Sequence, residues 1–410
     1  MARNSGQHWS KAWLAVAAFA AVATAAGAAE DDASIAADEL LKITEPLLTS
    51  IAEEEARNGP YSANLIELLT SLGLAYQEYG EDILALTVLD RALYLKRVNE
   101  GLFGIDQAAL LERLIDSELK IGRVDTAEDL RGKLLALARR NRQDERSAVI
   151  FSEAADREVD RYETYLREGL PPSLTIGDPM APQREASAGV WRARRLYNEA
   201  MWALVANPRE NRAELAELEK RLARTYYLEA SGRSRWYQGA DDPLYGLGLM
   251  SYMRLVDYSE ARTSASGAVD YVRALVELAD WSLLFSRNGT AMKRYEEAYD
   301  LLVERRVSAA SIEEFFPTAT PVFLPAFEPV PLGVAVAGST GYVDVDFEIG
   351  KYGQPRKVTI VAVAGDDAAA ISKQLAFAIA NGRFRPSPVN DGAEYRLRYS
   401  LADGSLTPRL

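Results

Sequence analysis

Between residues 65 and 138 small and large apolar residues recur at spacings that suit paired helices and little else. Leu69, Leu72 and Tyr76 mark one helix face, with Gly73 set among them. Gly80 follows where that helix must stop, because glycine enters left-handed backbone at no steric cost. Beyond it Ala85, Leu89 and Ala92 resume the helical period. Small residues at 73, 85 and 92 let two antiparallel helices approach closely, and Leu and Tyr fill the spaces between them. A second copy follows at 42 residues: Gly80 to Gly122 and Ala85 to Ala127 share that spacing, with Leu111, Leu114 and Ile115 on its first helix. Its pattern is interrupted by Glu118 and Arg131. A third copy lies far downstream, where Leu275, Leu278 and Ala279 precede Ala291, Tyr295 and Ala298, with Asn288-Gly289 marking the turn.

On a 34-residue helix-turn-helix template, Leu69, Leu72, Gly73 and Tyr76 fall on the first helix and Ala85, Leu89 and Ala92 on the second, so the sequence resembles the tetratricopeptide repeat family. The resemblance implies a mainly α chain, a solenoid of helical hairpins whose groove holds a protein partner. The longer period implies helices extended by about a turn each.

The N-terminus has a different character. Arg3 and Lys11 precede an uncharged run, 12–29, in which 11 of 18 residues are alanine, and acid begins at Glu30. Ala23-Thr24-Ala25 and Ala26-Gly27-Ala28 both fit a small-residue cleavage site, so 1–29 reads as a secretory signal peptide; an uncleaved membrane anchor is the alternative. The chain has no cysteine, and its one histidine, His8, lies in this segment. Disulfides, thiolate metal sites and His- or Cys-based catalysis are therefore excluded from the body of the chain.

Helical lobes are expected over 30–168 and 184–314. Pro171, Pro172, Pro179 and Pro182 make 169–183 a linker between them. The second lobe is rich in aromatics, among them Trp191, Tyr197, Trp202, Tyr226, Tyr227, Tyr245, Tyr252 and Tyr258, most of them read as packing. Within 232–248, Arg233, Arg235, Trp236 and Tyr237 stand beside Gly239, Asp241, Asp242 and Pro243, a loop with large side chains to offer a partner. Five prolines within 317–331 then stop the helical stack, and 315–337 reads as a Pro-rich linker.

In the last segment, 338–410, the apolar period changes from 3.6 to 2. Val343, Val345, Phe347 and Ile349 alternate with Tyr342, Asp344, Asp346 and Glu348; a turn at 351–354 leads to a second strand over 358–364, a helix over 368–380 and a last strand over 394–401. This small α+β domain of β-β-α-β order carries Gly341-Tyr342-Val343-Asp344-Val345-Asp346-Phe347-Glu348-Ile349, Gly353, Val358, Arg383-Phe384-Arg385-Pro386 and Gly392. In these residues it resembles the C-terminal domain of the TonB energy-transducer family. The resemblance implies a periplasmic module whose sheet edge accepts a partner strand. Because Gly404 and Pro408 follow it, 394–401 is expected to be the open edge, with Arg396, Leu397, Arg398 and Tyr399 as partner-binding residues.

Pairs such as Asp366-Asp367 and the run Glu53-Glu54-Glu55 read as solvated surface, and Arg139, Arg140, Arg142 and Arg146, interrupted by Asp144 and Glu145, as a helix-terminating surface. No phosphate-binding glycine loop or nucleophile elbow is present. A net charge of −13 disfavours nucleic acid. The expectation is a periplasmic scaffold, not an enzyme, with no cofactor and no metal, which binds a periplasmic or outer-membrane protein. It contacts the membrane only if 12–29 is retained, in which case it is an anchored energy transducer of the TonB type, coupled to outer-membrane transport.

Overall fold

A computed structural model describes residues 29–168, 181–208, 210–232, 242–260, 265–316, 341–380, 382, 384–386, 393–402 and 405–409. Residues 1–28, which hold most of the segment read as a signal peptide, the residues 233–241 and the stretch 317–340 lie outside them. The chain divides into two compact units between Asn141 and Arg142.

The first unit is a run of helices, each packed on the next: α1 (Ala29–Asn58), α2 (Leu65–Glu78), α3 (Asp82–Glu100), α4 (Ala108–Lys120) and α5 (Val124–Arg140). Leu65, Leu69, Leu72, Ala85, Leu89 and Ala92 are fully buried, as their spacing predicts. Gly73 meets Leu89 so closely that a Cβ there would stand 2.5 Å from the Leu89 Cγ. At Gly80 (φ +75°) the Glu81 amide donates to the Tyr76 carbonyl at 2.8 Å and the Gly80 amide to Gln77 at 3.2 Å. Gly122 (φ +79°) ends α4 with the same two bonds, from Arg123 to Glu118 and from Gly122 to Leu119. The extra length of the repeat is unequal: first helices have 14 and 13 residues, second helices 19 and 17. Buried polar contacts join the copies, since the Gln77 amide donates to Ser117 Oγ at 2.8 Å and Ser117 donates to Asp82 at 2.7 Å.

The second unit begins with α6 (Arg146–Glu168) and α7 (Ala181–Leu204), which pack along each other. Tyr197 donates to Asp156 at 2.6 Å and Arg192 pairs with Glu158 at 3.0 Å across them. Of the linker expected at 169–183, residues 169–180 lie outside the described residues, and 181–183 belong to α7. Prolines dictate where a helix ends, whereas a domain boundary lies where few apolar contacts cross. Next come α8 (Arg212–Gly232), α9 (Pro243–Glu260), α10 (Ala265–Leu284), α11 (Asn288–Glu304) and the short α12 (Ala309–Phe315). The turn between α10 and α11 sits at Ser286, not at Asn288-Gly289, which are already helical. Ser286 (φ +58°) and, after α11, Arg306 (φ +53°) close their helices with the hydrogen bonds that Gly80 and Gly122 use.

The aromatics divide. Tyr197 and Tyr245 are buried, Tyr226, Tyr227, Tyr252 and Tyr258 are half-buried, and Trp191 and Trp202 are exposed. Among the described residues the largest fully buried side chain is Trp281, which no motif marked. Its indole packs on Phe285 at 4.8 Å, donates to the Tyr245 carbonyl at 3.1 Å and fills the space beside Gly248.

The terminal domain is a four-stranded antiparallel sheet in the order β2-β1-β3-β4, with β1 (Gly341–Ile349), β2 (Pro355–Ala364), α13 (Asp366–Ala380), β3 (Ala393–Ala402) and β4 (Ser405–Arg409). Val343, Val345, Phe347 and Ile349 point inward and meet Leu375 and Ile379 of α13 and Phe384. The expected β-β-α-β order holds, with one short strand added.

Candidate protein-interaction surfaces

That added strand changes the site expected from the sequence. β3 pairs with β1 on one side and with β4 on the other, Tyr399 lying opposite both Val343 and Pro408 and Leu397 opposite Val345. The edge expected at 394–401 is thus covered by β4 over Arg398–Leu401, while the register pairs none of the residues 394–397 with β4. Pro408 did not prevent pairing because an edge strand tolerates a residue without an amide donor.

Arg396 and Arg398 are also committed within the sheet. Arg396 grips Asp346 with two bonds of 2.6 Å, and Arg398 grips Asp344 with two of 2.8 Å while lying over the Tyr342 ring at 4.0 Å. Both aspartates lie opposite their arginine in the register. Hydrogen bonds from the guanidinium groups, Arg398 to Asp344 and Arg396 to Asp346, hold both carboxyl groups below the usual aspartate range. The outer strand β2 bears the exposed Arg356 and Lys357, pairs with β1 through two register shifts and places Lys357 at φ +52°. Bulges and cations on an edge discourage strand addition. Arg233, Arg235, Trp236 and Tyr237 lie outside the described residues.

The carboxylates and arginines weighed in the sequence have local structural roles. Asp242 accepts from the Leu244 amide at 2.9 Å at the start of α9, and Glu55 pairs with Arg91. Arg139 and Arg140 close α5, and Arg146 pairs with Asp144 at 2.8 Å.

A different surface emerges from the first unit, where the 42-residue period extends beyond the helices. Gly59 and Gly101 (φ +86° and +98°) end α1 and α3. Two residues on, each loop presents an aromatic side chain, Tyr61 in one and Phe103 in the other. Asn99 donates to the Tyr61 carbonyl at 3.1 Å and Asn141 to the Phe103 carbonyl at 2.8 Å, again 42 residues apart. The loops are held rigidly. Glu54 accepts from Ser62, Asn58 and Asn64 at 2.5, 2.9 and 2.8 Å, bonds that lower its pKa, and Gln107 bridges Arg97 and the Gly101 carbonyl.

Between the loops, Tyr94 and Val98 lie one turn apart on α3, and Leu102 follows just past its end. Tyr61, Tyr94, Val98, Leu102 and Phe103 are each at least half exposed. The Tyr61 and Tyr94 rings lie 6.5 Å apart, and Arg140 covers the Phe103 ring at 3.8 Å. None of the five stood out in the sequence, because an apolar residue next to a helix is read as core. The signal that marks them is the shared spacing of Tyr61 and Phe103.

No protein-family model and no curated protein matches the chain. Solved structures similar to it include one described as a kinesin light chain with nearly identical TPR-like repeats from Podosopora anserina, at 13% identity and a TM-score of 0.36, covering 60% of this chain and 99% of that one. BtubC (BKLC) from P. vanneervenii overlaps 69% of this chain and 94% of its own, at 13% identity and a TM-score of 0.36. The C-terminal part of a TPR repeat-containing protein from Cytophaga hutchinsonii overlaps 68% of this chain and 98% of its own, at 14% identity and a TM-score of 0.28.

Proposed function

We propose that this chain is a protein-binding scaffold without catalytic activity of its own, and that the outer surface of its 42-residue repeats, centred on Tyr94, is where a polypeptide docks. The observation that carries this reading is the recurrence of an exposed aromatic side chain at 61 and 103 on two rigid loops, with Tyr94, Val98 and Leu102 between them. Exposed apolar residues gathered in one place mark interaction sites, and aromatics on pre-ordered backbone bind at low entropic cost. The acid excess of the chain favours a basic or neutral partner over a phosphate-bearing one. A photo-crosslinking residue at position 94 of the full chain, expressed in its native cell, is expected to trap a discrete polypeptide. The same probe in a Tyr61→Ser/Phe103→Ser background is expected to lose it, and an unchanged adduct would refute the assignment.

We further propose that the scaffold is exported and works in the periplasm. Support comes from the alanine-rich run 12–29 with its two small-residue cleavage patterns. Mass spectrometry of the natural N-terminus tests this: a chain beginning near Ala29 or Glu30 is expected and cannot be tethered by this segment, while one that keeps residues 1–29 would refute the cleaved scaffold and leave the anchored alternative. The TonB-like reading of the terminal domain rests on Gly341–Ile349 and on the Phe384-Arg385-Pro386 segment. With β4 covering β3 only from Arg398 onward, a partner strand on that domain would add at β2, at β4 or beside residues 394–397 of β3.

A further inference from the structure

The Phe384-Arg385-Pro386 segment joins two bodies. Phe384 is fully buried in the core of the terminal domain, and its amide donates to the Gly353 carbonyl at 3.0 Å. Arg385, the next residue, points into the helical body instead. Its Nη2 and Nε donate to the two carboxylate oxygens of Asp280 on α10 at 2.6 and 3.1 Å, and its Nη1 donates to the Phe315 carbonyl at the end of α12 at 3.1 Å. Tyr295 of α11 completes the cluster by donating to Asp280 at 2.6 Å. The side chains of Arg385 and Asp280 are 12% and 3% exposed. Beside them the turn at Gly353 (φ +72°) packs on its own domain, where a Cβ would stand 2.1 Å from the Phe384 carbonyl, and on α10, where it would stand 3.1 Å from Leu283.

We propose that the terminal domain works docked and not on a tether: Arg385 latches it to the α10–α11 hairpin, so that it caps the helical stack and forms one binding platform with it. Burial opposes the charge on Arg385, but the Asp280 carboxylate outweighs it, and the guanidinium titrates above its ordinary value. A buried charge pair adds little net stability over an apolar contact, yet breaking one partner leaves the other charge stranded. Such a pair fixes which surfaces meet. Gly353 and the segment 384–386 are thereby unavailable to partners while the latch is closed, whereas Lys351 and Tyr352 of the same turn stay exposed. The face that carries the Asp344–Arg398 and Asp346–Arg396 pairs remains open.

Hydrogen exchange on the full chain tests the latch. Arg385→Glu and Asp280→Arg each set like charges against one another, one from each side of the seam. In both variants, amides of 309–316 and 382–386 are expected to exchange at least about a hundredfold faster, while β1 keeps its protection. The double variant Asp280→Arg/Arg385→Glu is expected to recover part of the lost protection. Unchanged exchange at 309–316 in both single variants would overturn the proposal. So would loss of protection in β1 alongside the seam, because Arg385 would then serve the domain's own fold and not its docking.

Discussion

Replacing Gly73 by alanine tests the close packing on which the first hairpin depends. Two effects oppose each other. Alanine favours a helix over glycine by about 1 kcal/mol. Against this, the new Cβ would stand 2.5 Å from both Cγ and Cδ2 of Leu89. That contact is at the branch point of a fully buried side chain, so Leu89 cannot relieve it by swinging its tip away and must move as a whole. Overpacking of this kind costs about 1–3 kcal/mol, and a collision at the branch point belongs at the upper end. The net loss is about 2 kcal/mol, or roughly 30-fold in the opening equilibrium. Gly132 on α5 is the control, because a Cβ there meets nothing within 4 Å. Gly132→Ala is expected to stabilise by up to about 1 kcal/mol. Native-state hydrogen exchange of the α2 and α3 amides, read by mass spectrometry on the full chain, separates the two variants. If Gly73→Ala exchanged as slowly as the wild type, helix propensity would outweigh the contact and the close-approach argument would fail.

Ser286 and Arg306 adopt left-handed backbone where the first unit uses glycine, so Ser286→Gly is expected to gain up to about 1 kcal/mol in chemical denaturation, and a loss of stability would refute the strain argument. Asp344 titrates below the ordinary aspartate value of about 3.9 because Arg398 bonds its ionised form. Its contribution to stability is therefore present above that value and disappears as the pH falls through the folded-state value. Arg398→Leu is expected to move the Asp344 titration upward in carboxyl NMR, and to narrow the stability gap from wild type as the solution is acidified. A gap constant from neutral pH to pH 2 would contradict it.

Much of the fold was legible in the sequence because it depends on local rules. The 3.6 period of Leu69, Leu72 and Tyr76 and the small residues at 73, 85 and 92 dictate a close helical hairpin, and the glycines at 80 and 122, placed where the apolar period breaks, terminate its helices. The alternation from Tyr342 to Ile349 dictates a strand with one buried face. The candidate site was less legible. The spacing between Tyr61 and Phe103 is present in the sequence, but exposure is not, since a tyrosine has the same composition inside or outside.

Other features were decided by tertiary structure alone. Prolines in 169–183 predict a break between helices, but whether α6 and α7 then separate or pack on each other depends on which apolar faces match. β4 forms in a segment with poor strand propensity because β3 offers it a row of unpaired backbone groups, and burial and pairing outweigh propensity at an edge. Asp280 and Arg385 stand 105 residues apart, each an ordinary charged residue in its own context. No local signal links them, because the energy of a buried ion pair comes from the low-dielectric seam that only the folded chain creates around it.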